Sequence, residues 1–517
     1  MLIEKTIGQV LQQTAQANPD SEAVCDAERR LTYRELDQLV DLCARALLAR
    51  GVYKGTHVGI WARETVQTLV CFYALWRIGA VVVPLCTVYT SQELLLCLDA
   101  ADVSVLLVGT GHKENCFTDM EAQLPKHIHI IPIATFAFLQ TLCRDAERVS
   151  CEALREAACC VTPEDCDTIL FTSGSTGTAK PVITTHLSRV NILAEQAKAL
   201  ETKKQDRFCS VLPMYHCFSI TATVLAAMYA GACVCFPADT HTRTILKLIE
   251  AQRCTILTAV PTLFSALLYR LEQEAFDVSS LRTGMIGGST YTTEFFIRLC
   301  QHFSMTLLPS LGLSEATAGI TTGSLYDPIS VRAATIGKFF SCIEGSIRDP
   351  KTKEELPTGQ TGEICVRGVG VMKGYYLQPE ATHAVIDPDG WLHTGDLGWV
   401  DASGYVTYAG RIKELIIRGG ENISPVEIER ILLGDSRIRQ VKVIGVPDDH
   451  YTEEICACVT ASTPLTDNAV REIVRQQAAY YKVPKYVMFW DEFPMTCTGK
   501  INLKELKKQA VRSLKLY

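Results

Sequence analysis

A chain of 517 residues, 48% hydrophobic and 21% charged, has the composition of an ordinary globular protein and is too long for a single core. Its formal net charge of −7 speaks against a nucleic-acid binder driven by phosphate contacts. Its 22 cysteines include no CxxC pair, which argues against a zinc or thioredoxin-like site, and so many free thiols fit a reducing cytoplasm.

The opening MLIEKTIGQV has Glu4 inside its apolar stretch and no cationic run before it, so no signal peptide is expected. LTYRELDQLVDLCARALLARG, from Leu31, spaces apolar residues as a helix and stops at Gly51. HVGIWA, from His57, reads as a strand. TVQTLVCFYALWRIGA reads as a helix, and AVVVPL and VSVLLVG as further buried strands. This alternation is the pattern of a parallel α/β sheet. DTILFTSGSTG then runs from a strand into a Gly/Ser/Thr stretch. The run from Ile220 to Ala238 carries no charge, but Gly231 splits it into a buried helix and a strand, each too short to span a bilayer. Cys233/Cys235 and Cys456/Cys458 alternate on expected strands, so each pair points to one face as small apolar packing. Beyond about Ser341, GSIRD, GEICVRG and GYVTYAG read as antiparallel hairpins. After Arg411, the strand KELIIRGG, the helix SPVEIERILLG, the strands VKVIGV and EEICACVTA, the helix DNAVREIVRQQAAYY and a basic tail suffice for a small α+β domain.

The stretch TSGSTGTAKP, from Thr172 to Pro181, offers backbone N–H groups and hydroxyls with little side-chain obstruction. Gly174 and Gly177 allow close approach and Lys180 adds a positive charge, so the loop suits a phosphate. It is not the Walker pattern, because Lys180 does not follow the last glycine directly and Pro181 stands where Ser or Thr would. A flexible Ser/Gly loop is the plain alternative. Four further segments carry isolated polar residues: Glu315 in LGLSEATAG, Asp396 in HTGDLGWVD, Arg411 and Lys413 in GRIKELIIRGGENISPVEIE, and Lys500 in PMTCTGKINLKEL. Taken singly, a carboxylate in a turn is more often a loop cap, and a lone lysine a solvated surface group.

Together and in this order the motifs resemble the adenylate-forming superfamily: acyl-CoA synthetases, luciferases and the adenylation domains of peptide synthetases. The resemblance covers nearly the whole chain. Within it, LPMYHCFS, VMKGYY, IIRGGENISPVEIE and EEICACV are most similar to medium-chain fatty acyl-CoA synthetases. It implies an α/β fold class. A large N-terminal domain (1–410) of packed α/β subdomains plus a β-rich subdomain would be followed by a hinge at 411–413, about Lys413. A small mobile C-terminal α+β domain (414–517) would complete the chain. It implies two-step chemistry: a carboxylate attacks the α-phosphate of ATP, and the thiol of coenzyme A then displaces AMP. The first step brings two anions together, so it needs cations and N–H donors rather than a strong base.

By that resemblance, Thr172, Ser173, Gly174, Ser175, Thr176, Gly177 and Lys180 hold the β- and γ-phosphates, with Thr176 counted among the catalytic groups. Glu315 ligates Mg²⁺, a hard cation that favours oxygen ligands. Gly312 and Ser314 border the nucleotide, Ser314 beside the α-phosphate. Asp396 and Arg411 hold the ribose region, and Lys500 bridges the carboxylate and α-phosphate oxygens. His216 lies between the acyl and adenylate pockets, with Ser219, Gly287 and Gly288 on the acyl side. Gly420 belongs to a loop that faces the thiol channel once the small domain has turned. The chain departs from the family pattern at Pro181, at Leu311 where an aromatic would stack on adenine, and at Ser219, where fatty acyl enzymes often have glycine.

The segment after His216 has no acid to pair with an α-ammonium, and an unpaired buried ammonium is costly, so α-amino acids are disfavoured. HCFSITATV, MIGGSTYT and SLGLSEATAG are small, apolar and hydroxylated, and fit an aliphatic or aryl acid. The first reading is a CoA ligase for a medium-chain or similar acid. The second is a stand-alone enzyme that loads an acyl or aryl acid onto a separate acyl carrier protein. A non-catalytic binding protein is a third, against which Glu315, Asp396, Arg411 and Lys500 speak.

Overall fold

The computed structural model describes residues 1–109, 124–172, 179–418, 421–448, 450–496 and 500–516. Among them, two large sheets dominate the N-terminal part. The first has seven strands, in the spatial order Gly374–Tyr375, Lys180–Thr185, Cys166–Thr172, Val81–Pro84, His57–Trp61, Val105–Val108 and His129–Pro132. From Cys166–Thr172 to His129–Pro132 neighbouring strands run parallel, and the hairpin of Cys166–Thr172 with Lys180–Thr185 is antiparallel. The second has nine strands, whose six central members from Thr306–Leu311 to Glu22–Cys25 are parallel. The expected α/β grammar is therefore present, wound into two sheets.

The helices between the sheets explain the richest apolar runs. Val66–Arg77 is buried at every position, as its all-round apolar sequence requires. The one charge it carries inward, Arg77, is tied to Asp37 and Asp41. Tyr33–Ala49 starts at a capping box in which Thr32 accepts from the Glu35 N–H and Glu35 reaches back to the Thr32 N–H. The uncharged run from Ile220 opens with a wide π-type turn, Ile220–Leu225, between the helical Cys217–Ser219 and Ala226–Ala230. Gly231 ends it in the left-handed conformation and Cys233–Cys235 follows as a buried strand. Among the described residues no helix is long and apolar enough to cross a membrane.

The change of texture after Ser341 is a four-stranded antiparallel sheet: Ile343–Arg348, Gly362–Gly368, Leu392–Val400 and Val406–Arg411. The C-terminal part is a separate α+β unit. Glu421–Ile423, Ile416–Arg418, Thr452–Ala461 and Ile438–Asp448 form an antiparallel sheet, and Tyr486–Phe489 adds to it in parallel. Helices Pro425–Leu433 and Asp467–Arg475 share its core. The second helix is shorter than DNAVREIVRQQAAYY implied: it stops at Arg475, and Tyr480–Lys482 makes a 3-10 turn instead. Every described cysteine is a free thiol.

Candidate active site

The Gly/Ser/Thr stretch is the tip of a hairpin. Thr172 and Lys180 are paired across it, and 173–178, with Ser173, Gly174, Ser175, Thr176 and Gly177, lie outside the described residues. Lys180 directs its ammonium over the Tyr375 ring, 4.7 Å from the centroid. Pro181 is accommodated because its carbonyl, which proline retains, accepts the Tyr376 N–H at 2.8 Å.

Glu315 sits on a tight turn, Ser314–Ala316, closed by two residues in the left-handed region, Thr317 (φ 52°) and Ala318 (φ 81°). That turn folds back so closely that a Cβ on Gly312 would lie 2.0 Å from the Ala318 carbonyl oxygen, so only glycine fits. Thr317 Oγ1 anchors the turn on the Gly370 carbonyl at 2.8 Å. The Tyr375 hydroxyl donates to Glu315 Oε1 at 2.9 Å. Tyr375 therefore touches both Glu315 and Lys180, a link no motif announced; its only sequence signal was the aromatic in VMKGYY.

Asp396 is buried on Leu392–Val400, opposite Arg411, whose Nε donates to Asp396 Oδ1 at 2.9 Å. Burial pushes the Asp396 carboxyl above its usual range, with Arg411 opposing the shift. The turn ahead of Asp396 is held by Glu363, whose Oε1 accepts the Gly395 N–H at 3.0 Å, and by Thr394, whose Oγ1 accepts the Asp396 N–H at 3.1 Å. Sequence reasoning did not single out Glu363 or Thr394.

Lys500 comes from the C-terminal unit, on a turn in which the Thr496 N–H donates to the Lys500 carbonyl at 2.7 Å. Its side chain crosses to the N-terminal part: Nζ and Cε lie 3.8 and 3.6 Å from where a Cβ on Gly288 would stand. Gly288 has a positive φ of 85°, and a Cβ on Gly287 would strike the Ser310 carbonyl oxygen at 2.5 Å. Burial, and then the Arg411 guanidinium, lower the Lys500 pKa, while Cys217 and Asp396 oppose. His216 ends in a buried Nε2 with no hydrogen-bond partner among the described residues. Burial and the Lys500 charge bring its pKa down to about 4, so it is neutral at neutral pH. Beside it, Ser314 Oγ lies 3.6 Å from Cys217 Sγ. Lys500, Asp396, Arg411, Gly288, His216, Cys217 and Ser314 thus border one cleft.

Ser219 is fully buried, and its hydroxyl donates to the Leu212 carbonyl at 2.6 Å. Leu311 packs against the cluster of Ile347, Ile364 and Val406. Lys413 stands in a 3-10 turn, Ile412–Glu414, directly after Val406–Arg411, and Gly420 lies outside the described residues.

The AMP-binding enzyme family matches residues 11–376 and the AMP-binding enzyme C-terminal domain matches 427–500. The chain belongs to the AMP-binding enzyme family. It is an acid–thiol ligase of the adenylate-forming superfamily, close to its acyl-CoA synthetases. YngI of Bacillus subtilis (strain 168) is 34% identical over 542 residues, spanning 100% of this chain and 99% of its own. The mitochondrial medium-chain acyl-CoA ligase ACSF2 of Danio rerio is 30% identical, over 100% of this chain and 90% of its own. Among solved structures, ATP-bound MatB from Rhodopseudomonas palustris superposes with a TM-score of 0.84 at 25% identity, over 98% of this chain and 99% of that one.

Proposed function

We propose that the protein joins an apolar, medium-chain carboxylic acid to coenzyme A through an acyl-adenylate. The observation that carries this reading is the arrival of Lys500 from the C-terminal unit beside Gly288, Asp396 and Arg411. An ammonium there can bridge a carboxylate and an α-phosphate as negative charge gathers between them. Asp396 and Arg411 then bind the ribose, and Ser314 lies by the α-phosphate. The loop of Thr172, Ser173, Gly174, Ser175, Thr176, Gly177 and Lys180 takes the β- and γ-phosphates of ATP. Glu315, a half-buried carboxylate held in a fixed orientation by Tyr375, suits Mg²⁺, which when bound neutralises phosphate charge.

The acyl group lies beyond His216, along Gly287, Gly288 and the π-turn helix after Ser219. His216 stays neutral there and adds no charge that an aliphatic tail would have to solvate. The medium-chain assignment draws on the name of the ACSF2 relative, which also speaks for coenzyme A rather than a carrier protein. After adenylation, 414–517 turns about Lys413, withdrawing Lys500 and bringing the Gly420 loop to the thiol channel. The bonds from Ser424 Oγ to the Ala409 carbonyl (2.7 Å) and from Arg430 Nη2 to the Tyr408 carbonyl (3.0 Å) cross that hinge and break in the turn.

ATP–pyrophosphate exchange over acetate to palmitate, benzoates and amino acids, each with and without coenzyme A, tests the reading. Exchange strongest from hexanoate to decanoate, followed by thioester, is expected. Exchange confined to amino acids, or exchange with no thioester formed, refutes it. Lys500→Ala is expected to lower acyl-adenylate formation by about 10²–10³-fold or more and to spare thiolysis of supplied acyl-AMP. Equal loss of both half-reactions in a folded variant would contradict the role of Lys500.

A further inference from the structure

The cysteine spacing gave no metal motif, yet the fold gathers thiols from distant parts of the chain. Glu22–Cys25 and Cys233–Cys235 are neighbouring parallel strands with Cys25 in register with Cys235. Cys233, two residues earlier on the same strand, points to the same face. The sulfurs of Cys25, Cys233 and Cys235 all lie within 4.8 Å of one another, and all three residues are buried. Cys209, in register with Cys235 from the other side, and Cys254 belong to the same core.

Simple packing of small apolar side chains accounts for a pair of cysteines on one strand. It does not account for the charge beside them. Arg207 Nη2 stands 3.6 Å from Cys25 Sγ, and Gln252 Oε1 lies 3.9 Å from the same sulfur. Arg207 and the half-exposed Arg30 share one carboxylate, Glu22, and both donate to Gln252 Oε1. Two guanidinium groups against one carboxylate leave a net positive charge at this edge of the thiol cluster, and Arg30 connects that edge to the surface.

The sulfur spacing leaves room for one shared ion, with Cys25 Sγ within 4.8 Å of the other two sulfurs. An ion bound about 2.3 Å from each of three thiolates in one plane spaces them about 4.0 Å apart. Cys233 Sγ and Cys235 Sγ are 4.0 Å apart. We infer that Cys25, Cys233 and Cys235 form a trigonal tris-thiolate site for a soft monovalent cation, Cu(I), with Arg207 offsetting its charge. Thiolates select Cu(I) over hard cations. Binding exchanges three S–H protons, released to solvent, for one ion, with no change of oxidation state. Three thiolates and Cu(I) carry a charge of about −2, and a buried charge of that sign needs a neighbour such as Arg207. The site is separate from the cleft of Lys500 and Glu315.

The test uses the full chain with the exposed Cys151, Cys159 and Cys160, together with Cys116 and Cys497, replaced by Ser. Cu(I) is delivered as its coloured bicinchoninate complex. The protein is expected to withdraw one equivalent per chain. Cys25→Ser, Cys233→Ser and Cys235→Ser should each weaken that withdrawal by more than the about 10–100-fold that loss of an outer partner costs, while exchange activity is kept. Copper X-ray absorption on the loaded parent should give three sulfurs at about 2.3 Å, a readout that survives if a variant fails to fold. No equivalent withdrawn, withdrawal indifferent to all three substitutions, or a nitrogen- and oxygen-dominated shell would overturn the assignment.

Discussion

Two of the molecule's aspartate–arginine pairs differ in setting: one lies at the foot of the hairpin that carries the Gly/Ser/Thr loop, the other in the cleft. At the foot, Asp167 and Arg189 are both fully buried and bonded to each other. Thr168 and Thr184 each donate to Asp167 at 2.7 Å. Arg189 Nη2 and Nη1 donate to the Thr184 and Thr221 hydroxyls. Burial pushes the Asp167 carboxyl up, but Arg189, His186 and the hydroxyls outweigh it and hold it below its usual range. In the cleft, Asp396 is equally buried, yet among the described residues Arg411 is the one side chain bonded to its carboxylate, which is pushed up. The same two residue types thus serve two ends. A saturated pair fixes the scaffold, and an under-served carboxylate keeps acceptor capacity for a ligand.

The largest expected effect lies at the saturated pair. Asp167→Asn leaves Arg189 buried without a counter-charge and should cost about 3–5 kcal/mol of unfolding free energy, read by chemical denaturation. Because the folded carboxyl titrates below its unfolded value, its stabilisation is present above the unfolded pKa and is lost as pH falls through the folded one. The variant should lack that acid limb.

Asp396→Asn should do the opposite. A carboxyl raised by burial favours the folded state below its unfolded pKa, and that contribution is lost as pH rises through the folded value. At neutral pH the amide should therefore leave stability unchanged or higher. ATP affinity should drop by about 1.5–3 kcal/mol, the worth of a hydrogen bond to a charged group, read by calorimetric titration. A stability loss as large as that of Asp167→Asn would erase the contrast.

Tyr375→Phe sharpens it further. The hydroxyl lost is the one that orients Glu315, while the ring under Lys180 remains. The Mg²⁺ concentration for half-maximal exchange should rise by up to about tenfold, the scale of one hydrogen bond, with little change in the acid KM.

The contrast also marks where sequence reading succeeds. The alternation of periodicities gave a parallel α/β sheet but not its division into two sheets, and Gly231 gave the break between helix and strand. Ordered motifs brought Glu315, Asp396, Arg411 and Lys500 to notice, because family chemistry writes each into a short glycine-bearing turn. Glu363, Tyr375 and the thiol trio were not legible for a common reason: each acts through a partner that is distant along the chain. Glu363 reaches Gly395 across a strand pairing, Tyr375 reaches Glu315 where its strand packs beside the Ser314–Ala316 turn, and Cys25 meets Cys235 only once two strands lie side by side. The family pattern marks Leu311 and Ser219 as departures on the adenine and acyl sides. Leu311 packs on the β-rich sheet, and Ser219 bonds to the Leu212 carbonyl.

The smallest expected effect is a pH limb. Burial and Arg411 lower the Lys500 pKa, so its ammonium is lost at a lower pH than that of an ordinary lysine. Adenylation needs the charged form, since a neutral amine cannot offset two meeting anions. Its rate should therefore fall on the alkaline side, beginning below the ordinary lysine range. If the proposed domain turn withdraws Lys500 before thiolysis, that step should lack this limb and instead rise as the attacking thiol ionises. Lys500→Arg keeps its charge throughout the accessible range, so whatever adenylation it retains should run flat where the native enzyme declines. A native limb at the ordinary lysine pKa would mean that Lys500 is solvated when it acts. In that case the desolvation that distinguishes the cleft from the surface would not extend to its principal cation.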